Sequence, residues 1–305
     1  MFVEVTPTLL THVGKTTSTT KVACFDLDWT LIRPIKSRFF ADSYDFSFLP
    51  NRICGLKAIQ EDYTIVIFTN QKFKGKRLHT ALERINNVIA SFQVQEIFPW
   101  VFVSTGEDEF RKPNTGMWLV FSQYFPDLSE KLFIGDAAGR PGDYDNSDLL
   151  FSQNAGLTFY TPEEIFPRNT LPKIEHQTVF VFVGMPGSGK STFYEKELKP
   201  LGVVHVNQDT LKTRQKIMKK ISQELSSGKS IAIDSTNPTP QKRREFIELA
   251  KEFGVSVIIL YFVRNGYNFN KLREKPVPDI VYNVYFKNLV EPTEEIDGVP
   301  VIEIF

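Results

Sequence analysis

Val22-Ala23-Cys24-Phe25-Asp26-Leu27-Asp28-Trp29-Thr30 is an apolar run that ends in two carboxylates one residue apart. A short apolar run followed by polar residues reads as a strand buried on both faces, of the kind found inside parallel sheets. Residues i and i+2 of an extended chain share a face, so Asp26 and Asp28 present their carboxylates to one cavity. Open parallel sheets bind ligands at that carboxyl end. One carboxylate suits a nucleophile; the other suits an acid that protonates a leaving oxygen and later a base that activates water. Asp26 takes the first role and Asp28 the second.

The same rhythm continues outward. Apolar runs at 64–68, 100–103 and 131–134 alternate with amphipathic stretches such as 76–92 and 116–124, the pattern of βαβ units. Pro167 and Pro172 interrupt it, and a second series of strands follows at 178–183, 203–206, 230–233 and 256–262. The fold class expected is α/β in two domains. Residues 1–20 read as a lead-in with a flexible Thr-rich end, 21–168 as the first domain, 169–177 as a linker and 178–305 as the second domain.

Composition narrows the function. A chain of 305 residues with 42% hydrophobic residues supports two domain cores, and equal numbers of acidic and basic residues leave no net charge. A polyanion must therefore be met by local patches: Lys72, Lys74, Lys76 and Arg77; Lys212, Arg214, Lys216, Lys219 and Lys220; and Lys242, Arg243 and Arg244. Each patch reads equally as a solvated helix surface. Cys24 and Cys54 have no metal or disulfide spacing, and His12, His79, His176 and His205 form no ligand set. The first twenty residues lack the order of a secretory signal, and no run reaches the roughly 18 apolar residues of a membrane span. A soluble intracellular monomer is expected.

The second series opens with Gly184-Met185-Pro186-Gly187-Ser188-Gly189-Lys190-Ser191, a full Gly-x-x-x-x-Gly-Lys-Ser P-loop between a strand and an expected helix at 192–199. Gly184, Gly187, Ser188, Gly189, Lys190, Ser191 and Thr192 are expected to bind ATP. Main-chain N–H groups wrap the phosphates, Lys190 reaches the β and γ oxygens, and Ser191 holds Mg²⁺. Asp209, after the second strand, is either the base for an accepting hydroxyl or the N-cap of a helix at 210–226. Asp234 either orders the metal's waters or shapes a turn. Arg264, Lys271 and Arg273 read as a lid over the triphosphate or as an ordinary surface helix.

The first half resembles the haloacid dehalogenase superfamily, whose four motifs occur in order around Asp26-Leu27-Asp28, Thr69 in Phe68-Thr69-Asn70-Gln71, Lys112 in Arg111-Lys112-Pro113, and Asp136 in Gly135-Asp136-Ala137-Ala138. The resemblance implies that Thr69 donates to a phosphoryl oxygen and that Lys112 offsets charge on the phosphate. It also implies that Asp136 binds Mg²⁺ together with Asp26 and the main-chain carbonyl of Asp28. Trp29 stands where that family usually has glycine. Asp143, Asp145 and Asp148 either tune the metal or cap a helix, and capping is the reading favoured for Asp148.

From about residue 21 to the end, the chain resembles the animal-type polynucleotide kinase/3′-phosphatase family, in the same domain order. Val206-Asn207-Gln208-Asp209-Thr210-Leu211 and Ala232-Ile233-Asp234-Ser235-Thr236-Asn237-Pro238 carry the likeness in the second half. The family implies removal of a 3′-phosphate through an aspartyl-phosphate and transfer of the γ-phosphate of ATP to a 5′-hydroxyl, both with Mg²⁺. The substrate implied is DNA with 3′-phosphate and 5′-hydroxyl termini, and the residence implied is the nucleus, otherwise the cytoplasm. Asp209 becomes the kinase base, and Arg273 matches a lid arginine. Gln208 departs from the arginine these enzymes place before that aspartate, and Lys271 replaces another. The forkhead-associated domain of vertebrate members is not expected. RNA end repair and a phosphatase/kinase pair acting on free nucleotides are the rival readings.

Overall fold

Alternation along strands buried on both faces organises the first half. In the computed structural model, which describes residues 2–305, Ala23, Phe25, Ile65, Ile67, Val101 and Val103 share one hydrophobic core. Their neighbours Val22, Cys24, Val66, Phe68, Trp100 and Phe102 belong to another. Because side chains of a strand alternate, these are the two faces of one sheet. Phe68 is packed against Phe102, Trp118, Phe121 and Phe151 at ring separations of 5.3–6.5 Å.

The chain divides into two units, residues 1–168 and 169–305. The first contains β1 (Val3–Thr6), β2 (Leu9–His12), β3 (Lys21–Phe25), β4 (Ile32–Arg33), β5 (Ser47–Phe48), β6 (Thr64–Asn70), β7 (Trp100–Ser104), β8 (Glu130–Ile134) and β9 (Thr158–Tyr160). Its helices are α1 (Arg52–Gln60), α2 (Gly75–Val94), α3 (Gly116–Ser122), α4 (Ser147–Ala155) and α5 (Pro162–Ile165). The main sheet has the order β1-β2-β7-β6-β3-β8-β9, parallel from β7 to β9, while β4 and β5 form a separate antiparallel pair. The order turns about β3, with β6 on one side and β8 on the other. Asp26 and Asp28 therefore leave the sheet at its topological switch point.

The second unit contains β10 (Thr178–Val183), α6 (Lys190–Phe193), β11 (Val204–Asn207), α7 (Gln208–Leu211), α8 (Arg214–Ser226), β12 (Ile231–Asp234), α9 (Pro240–Glu252), β13 (Ser256–Phe262), α10 (Gly266–Asn270), α11 (Asp279–Asn288), α12 (Glu294–Asp297) and β14 (Val301–Ile304). Its five strands are all parallel in the order β11-β12-β10-β13-β14, and the P-loop follows β10, the switch strand. Both units are α/β.

Three expectations change. The stretch 1–20 is not a lead-in: β2 pairs antiparallel with β7 and β1 antiparallel with β2, extending the sheet, with Leu9 and Thr11 facing inward, and Ser18 is tied through both main-chain groups to the Thr64 hydroxyl. These strands are four residues long and flank Pro7, too short for alternation to stand out. The helix expected at 210–226 is two, because Lys212 adopts a left-handed φ of 64° and Thr213 caps the second with a bond from the Lys216 N–H. The helix after the P-loop starts at Lys190 and passes into a π-helical turn over Tyr194–Leu198.

Arg243 on α9 is fully buried and grips Asp297 of α12 with two bonds of 2.7 and 2.9 Å. It also donates to the carbonyls of Asn237 and Pro238, in the segment after β12. Asp297→Ala leaves an unpaired buried guanidinium, which costs about 3–5 kcal/mol. All three tryptophans lie in the first unit. Denaturant unfolding of Asp297→Ala should therefore show an earlier transition by circular dichroism and an unmoved one by tryptophan emission; coincident shifts would refute the assignment.

Candidate active sites

At the end of β3 the Asp26 carboxylate is buried and accepts from the Lys112 ammonium at 2.6 Å, which also donates to Asp148 at 2.6 Å. Lys112 is placed by its backbone: its N–H donates to the Asn70 side-chain oxygen and its carbonyl accepts from the Asn70 amide, each at 3.0 Å. That exchange joins the end of β6 to the loop before α3. Thr30 and Asp136 are likewise reciprocal, the hydroxyl donating to the carboxylate and accepting from the Asp136 N–H. Oxygens of Asp26, Asp136 and Asp148 lie within 4.8 Å of one another.

Asp148 thus belongs to the site and is not a helix cap, the role favoured from sequence. Its second oxygen accepts from the Ala137 N–H, and it packs so close to Gly135 that a Cβ there would lie 2.4 Å from it. The N–H of Ser147, where α4 begins, is bonded instead by Asp145. Asp143 binds the N–H groups of Ala138 and Arg140 and the Arg140 guanidinium, shaping the loop. The sequence signal available for Asp148 is its place in the first turn of the helix that follows the fourth motif.

Asp28 has different surroundings. Its Oδ2 accepts from the Gln71 amide at 2.9 Å, with Arg84 at 3.5 Å, while its buried Oδ1 has no hydrogen-bond partner among the described residues. Gln71 also donates to the Thr69 hydroxyl at 3.0 Å, so Thr69 faces the same space. Trp29, between Asp28 and Thr30, has φ 66°. That left-handed turn explains why glycine suits this position, and the Trp side chain makes it costlier by about 1–2 kcal/mol.

Charge in this cluster is out of balance. Burial pushes the Asp26 carboxyl up to about 7; Lys112 opposes the shift, and Asp148 and Asp28 add to it. Burial, then Asp26 and Asp148, likewise hold the Asp136 carboxyl well above the ordinary range. For Lys112, burial works against the charge, but Asp148 and Asp26 outweigh it and hold the ammonium protonated. Three clustered carboxylates facing one ammonium are an oxygen donor set fitted to a hard divalent cation. The Asp28 carboxylate stands outside that set.

The second site is built on the turn after β10. Gly187 and Gly189 have φ 78° and 94°, and a Cβ on Gly187 would lie 2.2 Å from the Gly266 carbonyl. Lys190 is buried and donates to the carbonyls of Gly184 and Met185 at 2.8 and 2.7 Å. Tyr282 of α11 ties its hydroxyl to the Pro186 carbonyl, and the Gly184 N–H donates to Thr236. Ser188 is buried, while Ser191 and Thr192 are exposed.

Ser191 donates to Asp234 at 2.7 Å, and the same carboxylate oxygen meets His205 at 3.0 Å and the Asn207 amide at 3.3 Å. Asp234 thus faces the P-loop serine. His205 was not singled out from sequence; its ring stacks on Tyr194 at 4.0 Å. Asn207, not Asp209, caps α7, which leaves the Asp209 carboxylate exposed. Burial lowers the Lys190 ammonium to about 8; Asp234 and Asp209 oppose that shift and Arg273 adds to it, so all three are close enough to act on Lys190. Arg273 itself is exposed.

The basic patches are partly neutralised. Lys72 pairs with Glu107, Arg214 with Glu245 and Lys220 with Glu224, and Arg243 is buried. Lys74, Lys76, Arg77, Lys212, Lys216, Lys219, Lys242 and Arg244 remain exposed.

Residues 21–166 match the family model described as polynucleotide kinase 3 phosphatase, and residues 179–224 match one described as an AAA domain. A bifunctional polynucleotide phosphatase/kinase of Schizosaccharomyces pombe is 35% identical, over 92% of this chain and 79% of that protein. The polynucleotide 3′-phosphatase ZDP of Arabidopsis thaliana is 32% identical over 50% of this chain and 25% of its own length. A polynucleotide 3′-phosphatase of Saccharomyces cerevisiae is 37% identical over 19% of this chain and 30% of its own.

The carboxylate cluster predicts that millimolar Mg²⁺ raises the thermal midpoint of the first unit, followed by tryptophan emission, because a cation that binds only the folded state stabilises it. Asp148→Asn removes one donor and should lose most of that gain. An undiminished gain in the variant would take Asp148 out of the cation site.

Proposed function

Because the chain belongs to the bifunctional polynucleotide phosphatase/kinase family, we propose that it heals broken nucleic-acid strands at both ends, with DNA as the polynucleotide and the nucleus as the place of action. The first unit removes a 3′-phosphate, the second phosphorylates a 5′-hydroxyl from ATP, and the product termini are those a ligase needs. The observation that carries the reading is the unequal treatment of the two carboxylates after β3: Asp26 is bonded to an ammonium, and Asp28 is held at one oxygen with the other left unbonded.

In the phosphatase half-reaction the Asp26 carboxylate attacks phosphorus, a P–O bond forms to it, and the bond to the 3′-oxygen breaks. Asp28 gives its proton to that oxygen, which leaves as a hydroxyl. Asp28, now a carboxylate, then takes a proton from water as the water oxygen attacks the aspartyl-phosphate, releasing phosphate and restoring Asp26. Lys112 keeps its charge throughout and offsets that of the phosphoryl oxygens, while the Thr69 hydroxyl donates to one of them. Asp26, Asp136, Asp148 and the main-chain carbonyl of Asp28 would hold Mg²⁺, which supplies the positive charge their excess of carboxylates lacks.

In the kinase half-reaction, P-loop N–H groups and Lys190 hold the triphosphate, and Ser191 and Asp234 would hold the Mg²⁺ that accompanies it. Asp209, exposed and freed from capping by Asn207, accepts the proton of the 5′-hydroxyl as that oxygen attacks the γ-phosphorus. Arg273 offsets charge on the group in transit. Exposed cations after Thr69 and after Asp209 offer phosphate contacts that position a strand without reading its bases.

A nicked DNA duplex with 3′-phosphate and 5′-hydroxyl termini, given ATP and Mg²⁺, tests this directly. Wild-type protein should convert both ends, Asp26→Ala should lose only the 3′ reaction, and Lys190→Ala or Asp209→Ala only the 5′ reaction. Loss of both reactions in any one folded variant would contradict two separate sites. Equal efficiency on mononucleotides would contradict a polynucleotide substrate, and a preference for RNA termini would contradict DNA.

A further inference from the structure

Helix α2 carries Ala81, Arg84, Ile85, Val88, Ile89 and Phe92 on its buried face. An arginine on an apolar stripe is out of place unless something holds its charge. Arg84 is only 2% exposed, and its guanidinium carbon lies over the Phe40 ring, 3.5 Å from the centroid. One nitrogen, Nη2, donates to the Gln71 side-chain oxygen at 3.0 Å and stands 3.5 Å from Asp28 Oδ2. Gln71, 1% exposed, uses its amide nitrogen on that same Oδ2 at 2.9 Å. The bond to Gln71 also settles which way its amide points, because only its oxygen can accept from a guanidinium.

We infer that Arg84, acting through Gln71, is a positioning residue for the phosphatase half-reaction: by holding Oδ2 it fixes the rotation in which the Asp28 carboxyl group meets the substrate. The inference rests on the proposed role of Asp28 as acid and base. Arg84 touches neither Asp26 nor the cation cluster in its hydrogen bonding, and at 3.5 Å it acts on Asp28 chiefly through charge. Gln71 supplies the direct bond and fixes the rotation of the carboxyl group, and its second donor bond to Thr69 sets the phosphate-facing hydroxyl by the same anchor.

The test compares two leaving groups in Arg84→Met, Arg84→Lys and Gln71→Met. A 3′-phosphorylated oligonucleotide leaves as an alkoxide and needs the proton; p-nitrophenyl phosphate leaves as a stable phenolate and does not. In single-turnover assays Arg84→Met should slow release from the oligonucleotide by about tenfold or more and slow the first p-nitrophenolate by much less. In steady state, kcat for the oligonucleotide should fall while KM stays within about twofold, with Arg84→Lys recovering part of the loss. Gln71→Met, with little change of volume, gives the same ratio should Arg84→Met fold poorly; tryptophan emission and retained kinase activity report folding. Equal losses for both esters would reduce Arg84 to a structural support of Phe40, and a raised KM with kcat kept would make it a substrate contact. Either result overturns the inference. Wild-type turnover of the oligonucleotide reports on the function itself, whereas the ratio between the esters reports on Arg84 alone.

Discussion

One buried ammonium, Lys112, makes the first site possible. Two carboxylates within 4.8 Å repel by about 3–4 kcal/mol at an effective dielectric near 20, and a third multiplies the cost. Lys112 sits between Asp26 and Asp148 at 2.6 Å from each, yet burial, and after it the neighbouring carboxylates, still hold Asp26 and Asp136 above the ordinary range. In the proposed function that deficit of positive charge is the place for a cation and for a substrate whose charge the cation and Lys112 share. The surrounding fold serves that placement, from the reciprocal bonds of Asn70 to the missing side chain at Gly135.

The two units put opposite chemistries on the same architectural feature. In each, a central parallel strand ends where the strand order turns, and the motif follows it. After β3 the chain presents side-chain carboxylates; after β10 it presents glycines whose backbone wraps a polyanion, with φ values of 78° and 94° at Gly187 and Gly189. Each site is then braced by its neighbouring loops. Tyr282, Thr236 and, through Asn237 and Pro238, the buried Arg243–Asp297 pair support the P-loop; Asn70, Thr30 and Gln71 support the carboxylates.

What could be read from sequence was what repeats or punctuates. Buried parallel strands are continuous apolar runs, and β10 and β13 appear at the residues expected, Thr178–Val183 and Ser256–Phe262. Motifs on strand ends were equally visible, because their spacing is local: Asp26 with Asp28, and Gly184 through Ser191. Contacts between distant segments were not. Asp148 reads as a helix cap until α4 is folded against Gly135, Asp209 reads as a base or a cap until Asn207 takes the cap, and His205 acquires a partner only when β11 lies beside β12. Strands β1 and β2 escaped notice for a different reason, since four residues give alternation too little room.

The account stands on Asp26 as the atom that receives the phosphate. Acid quenching during turnover of a 3′-phosphorylated oligonucleotide, followed by peptide mass spectrometry, measures this directly. A phosphorylated peptide containing Asp26, formed before phosphate is released and absent in Asp26→Asn, is the result expected. Phosphate release at the wild-type rate with no phosphopeptide, or with the label on another residue, would contradict it.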